Sequence, residues 1–311
     1  MNKDSKIFVA GHKGLVGSAV IRRLKEQGYT NLCTRTHAEL DLTRQQNVDD
    51  FFAEERPEYV FLCAAKVGGI LANSTYVAQF SYENLMISAN IINASYRNHV
   101  KKLLNPGSSC IYPRHARQPL KEEYLLTNTL EPTNEAYAIA KIAAIKLCSS
   151  YNKQYGTNFV SVIPTNLYGP YDNFDLETSH VLPALLRKFH EAKRSGAAHM
   201  EIWGTGSPIR EFLYVDDLAH ALVFIMEKYD AAAIGEFVNI GTGSGITIKE
   251  LGELLAGIVG YTGEIRWDAT KPDGMPKKVM DVTRINRLGW KAQTGLPEGI
   301  AKTYQWYRET Y

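Results

Sequence analysis

Cysteine is scarce in this chain: four residues among 311, at positions 33, 63, 110 and 148. Their wide spacing fits neither a disulfide framework nor a zinc-ligand pattern, so no metal site is expected. An excess of one charge is missing too. Lysine plus arginine number 35 and aspartate plus glutamate 33, a formal net charge of +2. That balance argues against a nucleic-acid or membrane-surface partner, while leaving room for a local basic pocket that holds phosphates. No stretch approaches the ~20 consecutive apolar residues of a membrane helix. The start, MNKDSKIFVAGHKGLVGSAV, carries early lysine and an apolar run. Glycines, a histidine and a further lysine interrupt that run, which argues against a signal peptide. Repeats, low-complexity tracts and an obvious linker are also absent. The profile left is that of a cytoplasmic enzyme, long enough for one large domain or two smaller ones.

What is present is an alternation. KIFVAG (6–11) reads as a buried strand. Val16, Ala19, Val20 and Leu24 share one face of a helix over 15–28, with Gly28 past its end. Strands are expected at 31–35, 59–65 and 102–107, and helices at 43–56, 82–100 and 134–156. A strand over 158–170 runs into a turn. This order predicts an α/β protein with a Rossmann-type, doubly wound parallel sheet. After about residue 170, proline, glycine and isolated aromatics increase, with α/β pieces at 236–243 and 247–260. The expected division is a dinucleotide-binding domain over 1–170, to which later segments can return, and a smaller C-terminal α/β substrate lobe over 171–311.

Between the first strand and helix, Gly11, Gly14 and Gly17 are spaced G-x-x-G-x-x-G. Glycine permits a tight turn there and brings backbone N–H groups close to a pyrophosphate at the helix N-terminus. An NAD reader normally carries Asp or Glu about 20 residues further on. Here Arg35 and His37 occupy that region, and Lys13 lies inside the loop. Cations suit a 2′-phosphate that a carboxylate would repel, so NADP is expected over NAD. The plainer reading is a solvated basic surface. Asp41 is either an adenine contact or a helix cap.

Further on, NEAYAIAKIA places Tyr137 and Lys141 four apart on one helix face. An ammonium beside a phenol favours the phenolate, so a lowered Tyr137 pKa is expected, useful for acid–base work. Upstream, Ser108 ends a strand and Cys110 follows two places later. Free cysteine is more often a small buried hydrophobe. A thiol with an ordinary pKa near ~8.5 can also move a proton. Cys33, Cys63 and Cys148 read as structural.

The glycine loop, Ser108, and Tyr137 with Lys141 together resemble the extended short-chain dehydrogenase/reductase family. A narrower resemblance is to its epimerase/reductase members that act on a GDP-4-keto-6-deoxy sugar. It rests on GHKGLVGSA, AAKVGGI, GSSCIYP, LEPTNEAYAIAKIA, PTNLYGP, NFDLETSHV, IREFLYVDD, KPDGMPKK and TYQWY, almost end to end. It implies a hexose with a C4 ketone. That ketone acidifies the C3 and C5 protons by enolate delocalisation. Cys110 would be the base and His180 the acid, on opposite faces of the ring. Ser108 and Tyr137 would polarise the ketone as an oxyanion site does. NADPH would reduce C4, with Tyr137 protonating the oxygen and Lys141 holding the cofactor ribose. The implied cofactor contacts are Gly11, His12, Lys13, Gly14, Leu15, Val16, Gly17, Arg35, His37, Asp41, Leu42, Gly107, Ser108, Lys141, Pro164, Asn166, Leu167 and His180. GDP-sugar contacts map to Asn166, Lys188, Trp203, Arg210, Asp273 and Lys278. A homodimer through the helices at 82–100 and 134–156 is implied as well.

Ordinary readings stand beside these. Trp203 can be core, Lys188 a solvated helix edge, Lys278 one of a basic pair, and His180 a loop or core histidine. A 4,6-dehydratase would place an Asp-Glu pair where Ser109 and Cys110 stand. A UDP-sugar 4-epimerase keeps NAD and needs no Cys/His pair. A reductase of a GDP-4-keto sugar such as a heptose, inverting one centre or none, shares fold and cofactor. A non-catalytic NADP sensor could dispense with Tyr137 and Lys141.

Overall fold

The computed structural model describes residues 1–271 and 273–311, and of Ile70 the backbone alone. Pro272, inside the 271–278 motif, lies outside the described residues. The first half runs β1 (Ile7–Ala10), α1 (Leu15–Glu26), β2 (Leu32–Cys33), α2 (Gln45–Glu55), β3 (Tyr59–Leu62), α3 (Ile70–Thr75), α4 (Val77–Arg97), β4 (Lys102–Pro106), α5 (Glu135–Tyr155) and β5 (Phe159–Pro164). Then follow β6 (Asn166–Tyr168), α6 (Val181–Ser195), β7 (His199–Trp203), β8 (Ile209–Arg210), β9 (Phe212–Tyr214), α7 (Val215–Lys228) and α8 (Ala231–Ile234). The chain ends with β10 (Val238–Ile240), β11 (Ile246–Thr247), α9 (Ile248–Val259), β12 (Glu264–Asp268), β13 (Lys277–Lys278), α10 (Thr283–Arg287) and α11 (Leu296–Thr310).

Six parallel strands form the main sheet in the order β10-β5-β4-β3-β1-β2. Alternating side chains of β1 feed both of its faces. Ile7 and Val9 pack with Ala19, Val20 and Leu24 of α1 and with α7. Phe8 and Ala10 pack with Val48 and Phe52 of α2, Ile91 and Ile92 of α4, and Cys148 of α5. Fully burying one such valine or leucine contributes about 1.5–3 kcal/mol, so these two faces dominate the stability of the sheet. The chain winds one way from β1 to β2 and the other way from β3 onward. The crevice beyond β1 and β3 is therefore the switch point, where α/β sheets bind ligands.

A second core joins α6, α9, α11 and β7 through Leu186, Phe189, Ile202, Leu251, Leu255 and Ile300. The chain does not stay in that lobe. Helix α7 packs on α1, and β10 extends the main sheet beside β5. Some boundaries differ from the sequence expectation. β2 is two residues long, not five, and the helix expected at 82–100 begins at Val77. Helix α2 stops where Arg56 turns left-handed (φ 45°) ahead of Pro57.

Candidate active site

The glycine loop lies at the mouth of the crevice. Gly11 has φ +77°, and a Cβ there would stand 2.7 Å from the Ala64 backbone just past β3. A Cβ on Gly17 would collide with the Gly11 carbonyl. Helix α1 has neither a side-chain cap nor an acidic residue in its first turn. Its N-terminal dipole and amides are thus left for an anion. At the end of β2, Arg35 reaches Glu55 at 2.5 Å and donates to the Thr34 carbonyl at 2.9 Å. His37 is exposed nearby. Asp41 accepts from the Thr43 amide (2.9 Å) and hydroxyl (2.7 Å). It closes a turn, which settles its local bonding; the N-cap of α2 is Arg44.

Beyond β4, the Gly107 amide donates to the Val162 carbonyl at 2.7 Å, which anchors the strand end. Ser108 then caps a single 3₁₀ turn over Ser109–Ile111, its Oγ accepting from the Cys110 amide at 3.4 Å. Lys141 of α5 sends its ammonium to the Pro106 carbonyl at 3.4 Å and lies 5.8 Å from the Tyr137 ring centroid. Tyr137 stands edge-on to Phe80 of α4, centroids 6.3 Å apart. Ser108, Cys110, Tyr137 and Lys141 thus converge where β4 meets α5.

Electrostatics corrects one expectation. Burial pushes the Tyr137 phenol up rather than down, Cys110 adds to the rise, and a hydrogen bond from Ser108 opposes it. Desolvation is the largest cause, although the Lys141 ammonium lies 5.8 Å from the ring centroid. Lys141 itself is drawn down to about 8 by burial, with Cys110 and Cys63 pulling the other way. Burial also raises the Cys110 thiol, while Ser108, Lys278 and Lys141 lower it. Its side chain is 9% exposed, among Ala138, Ile142 and Leu120.

His180 is the N-cap of α6. It is open to the cleft, yet enough protein surrounds the ring to desolvate it, and Lys278 adds repulsion, taking it to about 4. The exposure tempers the extent, but both causes favour neutral imidazole at pH 7. Lys278 on β13 is the register partner of Arg210 on β8. Burial and then Arg210 lower Lys278 to about 8, with Cys110 opposing. The cations assigned from sequence to the nucleotide therefore extend to the thiol.

Trp203 is 57% exposed, so it is not core. Lys188 of α6 and Lys271 hold their ammonium groups 5.7 and 5.5 Å from its ring. Asp273 faces the 204–207 loop, accepting from the Thr205 amide (2.7 Å) and hydroxyl (2.8 Å). Its carbonyl meets Arg210 at 3.5 Å. Asn166, the first residue of β6, donates to the Glu211 carbonyl at 2.7 Å, with Pro164 at the end of β5 and Leu167 next along β6.

One residue escaped the sequence reading. Glu211 is fully buried and accepts from the backbone amides of Thr242 (2.5 Å), Gly243 (2.9 Å) and Met280 (2.6 Å). It ties the loop after β10 and the strand of Lys278 to Arg210. The signal was a lone carboxylate inside the apolar run of IREFLYV.

A switch-point glycine loop beside a Ser–Tyr–Lys cluster defines a dinucleotide-dependent enzyme. A family model described as the NAD dependent epimerase/dehydratase family matches residues 7–241, and the chain belongs to that family. GDP-L-fucose synthase 1 of Arabidopsis thaliana is 58% identical over 98% of this chain and 94% of its own length. GDP-L-fucose synthase of Escherichia coli (strain K12) is 54% identical over 98% of this chain and 97% of its own. Among solved structures, a GDP-mannoheptose C4 reductase from Campylobacter jejuni with NADP bound matches with a TM-score of 0.91 at 43% identity, covering 99% of each chain.

Proposed function

We propose that this protein converts GDP-4-keto-6-deoxy-D-mannose to GDP-L-fucose, inverting C3 and C5 and then reducing C4 with NADPH. The observation that carries the reading is the convergence of Ser108, Cys110, Tyr137 and Lys141 where β4 meets α5. The 54–58% identity to GDP-L-fucose synthases supports the substrate. Cys110, once ionised, takes the proton from C3 or C5, and the electron pair moves onto the C4 oxygen. Ser108 and Tyr137 hold that oxygen as it gains charge. His180 returns a proton on the other face. Phosphates of the nucleotide, laid against Arg210 and Lys278, offset the Lys278 repulsion that adds to burial in keeping His180 neutral, so that part of the barrier to its protonation falls on substrate binding. NADPH, when bound along Gly11–Gly17, supplies hydride to C4. Tyr137 then gives its proton to the oxygen, and Lys141 supports the phenolate left behind.

The main sheet with its returning α7 and β10 is the dinucleotide half, and the second core carries the nucleotide sugar between Lys188, Trp203, Arg210, Asp273 and Lys278. Arg35 and His37 receive the 2′-phosphate, Glu55 giving up part of its hold on Arg35. The exposed Tyr82 of α4 and Ile139 of α5 belong to the contact of a homodimer, and the protein works in the cytoplasm. A GDP-heptose C4 reductase that leaves both centres untouched is the second reading, favoured by the 43% identical Campylobacter structure.

Two substitutions test the roles. Cys110→Ser should abolish solvent-deuterium exchange at C3 and C5 while direct C4 reduction partly survives. Exchange at the original rate removes Cys110 as base. Tyr137→Phe should stop NADPH oxidation, and an unchanged rate removes Tyr137 from the reduction.

A further inference from the structure

The motif AAKVGGI follows β3 and has no place in the chemistry above, yet it touches the segment that bears His180. The Gly69 amide donates to the Thr178 carbonyl at 2.7 Å. A Cβ on Gly69 would collide with the carbonyl oxygen of Ser179, the residue before His180. One on Gly68 would lie 2.9 Å from the Ala72 Cβ and 3.2 Å from the Phe80 ring. Neither glycine has a positive φ in this turn, so close approach, not backbone freedom, demands them.

The turn is held from behind by two buried asparagines. Asn73, 7% exposed, donates to the carbonyls of Gly68 (2.7 Å) and Gly69 (3.0 Å). Asn84, 1% exposed, accepts from the Lys66 amide (3.1 Å) and donates to its carbonyl (3.0 Å). On the far side, Asp175 pins the other segment by accepting from the Thr178 amide (2.9 Å) and hydroxyl (2.8 Å). Two hydrogen-bonded pieces therefore meet at Gly69. The first also abuts the cofactor loop, because Ala64 lies against Gly11.

We propose that the Lys66–Gly69 turn, braced by Asn73 and Asn84, positions His180 against the cofactor half and so sets where the acid stands relative to the ring. This rests on the epimerase reading above, in which His180 delivers the inverting proton. A displacement of about 1 Å at a reacting group can cost up to a hundredfold. When the acid is misplaced, the proton held by Cys110 exchanges with solvent and goes back to the face it left. The signature is deuterium in recovered sugar of the original configuration. Damage to the fold alone lowers exchange and inversion together.

The test compares Gly69→Ala, Asn73→Ala and His180→Asn with wild type, in deuterated water with NADPH and GDP-4-keto-6-deoxy-D-mannose. Gly257→Ala is the control, since a Cβ there meets nothing within 4 Å. Inversions per exchange should fall about tenfold or more in Gly69→Ala and His180→Asn. The fall should be smaller in Asn73→Ala and nil in Gly257→Ala, with NADPH affinity unchanged in the Gly69, Asn73 and Gly257 variants. An unchanged ratio in Gly69→Ala overturns the inference. If Gly69→Ala does not fold, an unchanged ratio in Asn73→Ala does so. Wild type that neither exchanges nor inverts overturns the epimerase reading itself, and this inference with it.

Discussion

At the scale of the residue, the site combines groups whose ordinary charges burial resists. Lys141 is the clearest case, held to about 8 because its ammonium lies in protein. Its sign follows directly. The group is charged below that value and neutral above it, so support for a developing Tyr137 phenolate is lost as pH rises through about 8. The kcat/KM for NADPH-dependent reduction, which reports the free enzyme, should therefore decline on the alkaline side from about pH 8. Lys141→Arg keeps a cation to higher pH and should move that limb upward. A limb at the same pH in both proteins would show that another group sets it. Cys110 and His180 share the theme. Burial favours the neutral form of both, and the cations of Lys141 and Lys278 favour the thiolate while Lys278 disfavours the imidazolium.

At the scale of the element, the glycine loop is the feature on which the proposed cofactor binding turns. Gly17 faces the Gly11 carbonyl across the first turn of α1 with no room for a methyl group. Gly17→Ala should push the loop outward and weaken NADPH binding about tenfold or more, as read by fluorescence titration, with GDP affinity little changed. Equal affinity for NADPH in both proteins would place the pyrophosphate elsewhere. This loop was legible in the sequence because spacing, strand and helix are local properties. So was the Tyr137–Lys141 face of α5, since an interval of four is a property of the helix alone. Helix α7 was not foreseen. Its side chains from Val215 through Leu222 to Met226 are buried except along a partly open stripe at Asp216, His220 and Phe224. The direction of the Tyr137 shift was also hidden, because it depends on how much protein surrounds the oxygen. Asp273 shows the same limit. Sequence gave no sign that its carboxylate also bonds Thr205, a partner 68 positions away.

At the scale of the whole molecule, two cores meet along one cleft. The main sheet supplies the cofactor loop, Ser108, Cys110, Tyr137 and Lys141. The other core supplies His180, Lys188 and Trp203, with Arg210 and Lys278 paired on a small three-stranded sheet. Under the proposed roles, the base and the acid come from different halves. Inversion needs one group on each face of the ring, and a cleft between two bodies meets that need directly. Glu211 joins three strand ends across this cleft, and the turn at Gly69 joins the other side. The most direct measurement is the NMR spectrum of the sugar formed from GDP-4-keto-6-deoxy-D-mannose and NADPH in deuterated water. The account predicts GDP-L-fucose carrying deuterium at C3 and C5 and hydrogen from the cofactor at C4. A C4-reduced product with both centres uninverted and free of deuterium would contradict it.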